Sequence, residues 1–183
     1  IRTSITLPKE YTEKISENLK DFLENHDKDE YISDFHSRQL LIKEAIIKKE
    51  IDSIIDLLVP SHFLFSMKEL YDVHKKFNDV IELANKVLEN EANLDGFIAN
   101  EIRYYLCMAL ARNKDPEFKN EVMKVSGAEH HFLFGFYYRQ IGKTDKAIES
   151  YKTALDKRPI FSRAQRDLVQ AYLSIEDYEN AHK

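Results

Sequence analysis

The chain has 183 residues, a formal net charge of −5, 43% hydrophobic and 32% charged residues, and only 4 Gly and 4 Pro. That balance belongs to a folded chain with few, tight turns, and its acidity argues against a general nucleic-acid-binding face. The single cysteine, Cys107, has no partner for an internal disulfide, so a reducing, cytoplasmic setting is expected.

Helical periodicity begins at "PKEYTEKISENLKDFLEN", where Tyr11, Ile15, Leu19, Phe22 and Leu23 share one face behind Pro8. "DEYISDFHSRQLLIKEAIIKK" follows, then a short "IDSIIDLLV" stopped by Pro60. Residues 61–75 and 78–90 form a further pair, and 94–112 reads as one long helix. "DPEFKNEVMKV" opens with Asp115 as N-cap and Pro116 in the first turn. Helices over 128–141, 144–157 and 161–174 come next, with a truncated one from Asp177. No strand is expected, so the class is all-α, with about eleven helices. No apolar run reaches the length of a membrane span, and no signal peptide is recognisable. The start at Ile1 and the end inside "YENAHK" predict a piece of a longer protein.

Residues 1–60 read as an N-terminal helical extension, and 61–183 carry a period. Tyr71, Tyr105, Tyr138 and Tyr172 are spaced by 34, 33 and 34 residues. Over 128–161, Phe134 and Gly135 precede Tyr138, then Ala147, Tyr151 and Ala154 line the next helix and Pro159 stops it. Leu168, Tyr172, Tyr178 and Ala181 repeat the marks over 162–183. The small residues let paired helices approach, and the tyrosines fill the space between layers.

These residues resemble the tetratricopeptide repeat family, whose unit is a 34-residue helix–turn–helix. The likeness is clear over 128–161, truncated over 162–183, and degenerate over 61–94 and 95–127, where the first helix is lengthened and the second shortened. His131 stands where the family often has Trp. The resemblance implies a right-handed α–α superhelix of antiparallel helix pairs that binds a protein or peptide in its concave groove.

The repeat accounts for Phe134 and Tyr138, and for Leu133 and Tyr137 against the preceding unit. Phe132 and Phe136 are left over, one turn apart on a single face that Arg139 and Gln140 continue. At the corresponding positions the family lines its groove, so these two are either groove anchors, with Arg139, Arg163 and Arg166 orienting the ligand, or residues covered by the long helix that precedes them. The family's readers of C-terminal carboxylates use Lys and Asn where Phe132 and Phe136 stand, so that specificity is not implied here. The alternative is a structural arm that self-associates or joins domains of a larger protein, without a free ligand.

Other constellations carry less. His130 and His131 are adjacent on a helix, so their side chains diverge and cannot easily share a metal. "DKDEYISDFHSR" has Ile32 and Arg38 where a calcium loop needs Gly and Glu. Cys107 sits in the apolar "YYLCMALA" as a structural thiol. Asp72, Glu82 and Glu101 are ordinary helix acids, and Lys157 and Arg158 suit a helix C-terminus. With no phosphate loop, nucleophile elbow or metalloprotease motif, neither a catalytic activity nor a cofactor is expected.

Overall fold

A computed structural model describes residues 35–49, 51–53, 60–89 and 91–182. The helix expected from Pro8, the start of the next at 29–34 and most of the short one at 54–59 lie outside these residues. Among the described residues the chain is helical and contains no strand. It divides into two compact units, Ile1–His62 and Phe63–Lys183.

In the first unit, α1 (Phe35–Lys48) buries Leu41, Ile42, Ala45 and Ile46, a stripe with helical spacing. A 3-10 turn at Ile51–Ser53 packs its buried Ile51 against this helix. Pro60 is expected to stop the preceding helix, whose last residues lie outside the described ones. It opens α2 (Pro60–Glu69), because a residue without N–H costs nothing in the first turn.

In the second unit, α2 runs into a five-residue π-helical turn, Leu70–His74. Then come α3 (Phe77–Leu88), a 3-10 turn at Glu91–Asn93, and α4 (Gly96–Asn113). The short α5 (Phe118–Val122) leads to α6 (Gly127–Gln140), α7 (Thr144–Lys157), α8 (Ser162–Ser174) and α9 (Tyr178–Ala181). Helices adjacent in sequence pack together from α3 to α9, and α6 also packs directly on α4.

One turn device recurs. Lys75, Lys114, Gly142 and Glu176 are left-handed, with φ of 56°, 56°, 74° and 60°. The following N–H then reaches back into the last helical turn: Asp115 to the Leu110 carbonyl (2.9 Å), Lys143 to Tyr138 (2.8 Å), Asp177 to Tyr172 (3.0 Å). This is the Schellman closure, and it satisfies carbonyls that the helix end leaves open. After α2 the Lys76 N–H reaches Leu70 at 3.0 Å, one residue further, because the π-helical turn holds an extra residue.

These closures give the helix ends a common register. Tyr138 and Tyr172 occupy the same cap position, and Leu110 holds it in α4. Tyr105 lies five residues before Leu110, more than a turn earlier, so its even spacing in sequence does not reflect an equivalent place in the turn. The lengthened and shortened helices expected over 95–127 are α4, with 18 residues, and α5, with 5.

Asp95 starts α4 by accepting from Phe97 N (2.9 Å) and Ile98 N (3.3 Å). From Ile102 to Ala111 every residue is buried, which makes α4 the central helix of the unit. The buried Arg103 is neutralised by Glu91 (2.7 and 2.5 Å) and Glu121 (3.3 Å), tying the 3-10 turn and α5 to α4. Asp115 accepts from Glu117 N at 2.9 Å, so it caps a turn ahead of α5 rather than the helix itself. His130 Nδ1 lies 3.0 Å from the carbonyls of Val122 and Val125 and so closes the end of α5.

The α6–α7 pair is the tightest contact. A Cβ on Gly135 would stand 2.6 Å from the Tyr151 ring, so only glycine lets α7 approach this closely. Ala147, Tyr151 and Ala154 are fully buried beside it, and Tyr172 is buried in the next layer. α7 ends at Lys157 because Arg158, preceding Pro159, adopts an extended conformation. Pro159 itself is exposed, and Ala181 is half-buried in α9.

Candidate functional site

A cleft of about 540 Å³ opens in the second unit where α4, α6, α8 and the π-helical turn meet. Phe132, Phe136, Arg139, Gln140, Arg163 and Arg166 all line it. Two separate helices, α6 and α8, therefore bring those six residues together. Their roles divide differently from expectation.

Phe132 and Phe136 are core residues, 0% and 3% exposed. Phe132 packs among Tyr104, Tyr151 and Phe161, with ring centroids 5.0–6.0 Å away, and Phe136 lies beside it at 6.3 Å. They are the floor of the cleft and not exposed anchors. The residues assigned to repeat packing are the more open ones: Phe134, Tyr137 and Tyr138 are half-buried, the first two resting on Phe118. Leu133 is buried as expected, while His131 is half-buried and meets His130 edge-on.

Charge is what distinguishes the cleft. Lys75, Arg112, Arg139, Arg163 and Arg166 line it against two carboxylates, Asp72 and Asp167. A chain with a net charge of −5 thus concentrates a positive excess in one concavity. Asp167, buried in α8, serves two arginines loosely, with Arg166 Nε at 3.4 Å and Arg139 Nη1 at 3.8 Å.

The other two arginines find neutral acceptors. Arg112 Nε donates to the Tyr71 hydroxyl and Arg112 Nη1 to Gln140 Oε1, both at 3.3 Å. Its guanidinium carbon stands 4.8 Å from the Phe136 ring centroid, a cation–π contact with the floor. Arg163 donates to the Tyr104 hydroxyl at 3.1 Å and the Tyr105 hydroxyl at 3.4 Å. Burial pushes the Tyr71, Tyr104 and Tyr151 phenols upward, so all three remain protonated at neutral pH. A lining of five cations against two carboxylates, with phenol hydroxyls among them, suits an anion.

Sequence reasoning missed Tyr71, Asp72, Lys75, Met108, Arg112 and Asp167. Only Arg112 left a signal, as the one charge closing the apolar run "YYLCMALAR". The π-helical turn that places Tyr71 and Asp72 has no signature in sequence. Cys107 is fully buried, and burial pushes its thiol up to about 12, which suits a structural role. Among the described residues no group of three or more His, Cys, Asp and Glu side chains is placed to hold a metal, and no helix is long and apolar enough to cross a membrane. Comparisons with protein-family models, with curated proteins and with solved structures return no match.

Proposed function

We propose that the chain is a protein- or peptide-binding module, a tetratricopeptide-like array whose right-handed superhelix holds its ligand in the concave groove. The groove is the cleft between α4, α6 and α8. The observation that carries this reading is the convergence of arginines from those three helices on one concavity floored by Phe132 and Phe136. Sequential packing of helices through a recurring turn supports the array. The ligand is a peptide segment with acidic character, lying over the aromatic floor.

A peptide array probed with the wild type and with Arg139→Glu and Arg166→Glu tests the reading. The wild type captures acidic peptides. Both variants keep their helical circular dichroism and lose that capture. Equal capture of acidic and basic peptides by the wild type overturns the proposal.

A second reading is favoured by one surface. Leu173, Ile175 and Tyr178 are exposed, at 41%, 45% and 65%, where α8 turns into α9. This apolar edge supports a structural arm that self-associates or packs on another domain. Concentration-dependent sedimentation abolished by Leu173→Glu is its mark.

A further inference from the structure

We infer that the cleft contains a seat for one oxyanion of the ligand, a phosphate or a side-chain carboxylate, held between Arg112 and Arg163. This deepens the peptide-binding reading and rests on it. Asp167 already serves Arg139 and Arg166, whereas Arg112 and Arg163 have no carboxylate partner among the described residues. Their tyrosine acceptors orient the guanidinium groups without neutralising them. The two anchors also touch: the Tyr71 and Tyr105 ring centroids are 5.9 Å apart, with Arg112 bonded to one phenol and Arg163 to the other.

Two like charges set on adjacent rings repel, and Arg163 is half-buried, where water screens less. An anion between them turns that repulsion into attraction. Guanidinium groups present paired N–H donors that match carboxylate and phosphate oxygens. The Tyr71 hydroxyl accepts from Arg112 and keeps its own proton to donate. The place of Arg112 in the last turn of α4 complements the helix dipole, but that need is met by any cation and does not require a guanidinium over Phe136.

Side-chain NMR of the arginine Nε–Hε groups tests the seat directly. The whole chain is titrated with inorganic phosphate and, separately, with acetate. Arg112→Gln and Arg163→Gln identify the two signals by their loss. Lys119→Gln, on exposed α5 surface, removes the same charge elsewhere. The expected result is saturable movement of the Arg112 and Arg163 signals together, weakened at least tenfold by either substitution and unchanged in Lys119→Gln. Tighter binding of phosphate assigns the seat to a phosphorylated residue, and equal binding of acetate assigns it to Asp or Glu. Linear, unsaturating shifts at all arginines overturn the inference. Capture of acidic peptides that leaves these two signals unmoved also overturns it, while sparing the peptide-binding reading. Phosphate seated here by a chain that captures no peptide has the opposite effect: the seat stands and that reading falls.

Discussion

Phe132 has no exposed surface and Phe136 almost none, although both line the cleft. They hold together rings from α4, α6, α7 and the segment leading into α8. Replacing both with Ser should therefore cost several kcal/mol, about 3–5 for the first site alone, because it opens a cavity and buries hydroxyls. Chemical denaturation measures it. A double variant that unfolds within about 0.5 kcal/mol of the wild type would show that they are surface residues. Gly135 was legible in the sequence because a small residue before Tyr138 has one packing meaning, and Tyr151 lies against it. The burial of Phe132 was not legible. Residues 132–138 are apolar on nearly every side of α6, so periodicity alone gives that helix no direction.

At the scale of elements, the four left-handed turn residues make a graded experiment. Gly142 adopts φ 74° freely, whereas Lys75, Lys114 and Glu176 hold similar angles against a steric cost. Lys114→Gly and Glu176→Gly should each stabilise the chain by roughly 0.5–1 kcal/mol, and Gly142→Ala should destabilise it by about 1 kcal/mol. Thermal melts that rank the three variants in any other order would contradict a shared closure. The helices themselves were legible to within a few residues wherever a cap or a proline marked them, as Thr144–Lys157 was. The π-helical turn was hidden. No breaker in "ELYDVH" announces its extra residue. Hence Tyr71 and Asp72 could be placed on a helix in advance, but not at a cleft.

Taken as a whole, the second unit treats its cations in two ways. The central α4 buries its one internal cation against Glu91 and Glu121, and the cleft leaves Arg112 and Arg163 with neutral partners only. A stable fold neutralises buried charge where it can, as it does at Arg103, and the proposed binding face is where such neutralisation is missing. Sequence reasoning found Arg139 and Gln140 there because they continue the Phe132–Phe136 face, and Arg163 and Arg166 through the family resemblance. It did not find Arg112, despite its place at the end of an apolar run, or Asp167, whose roles depend on which helices meet. The central claim is that this cleft receives an acidic peptide. Hydrogen–deuterium exchange with a glutamate-rich twelve-residue peptide, and a lysine-rich one of the same length, tests it most directly. The account predicts slowed exchange in α4 near Met108–Arg112, in α6 near Phe132–Gln140 and in α8 near Arg163–Asp167, with the acidic peptide alone. Protection confined to the α8–α9 edge, or equal protection by both peptides, would contradict it.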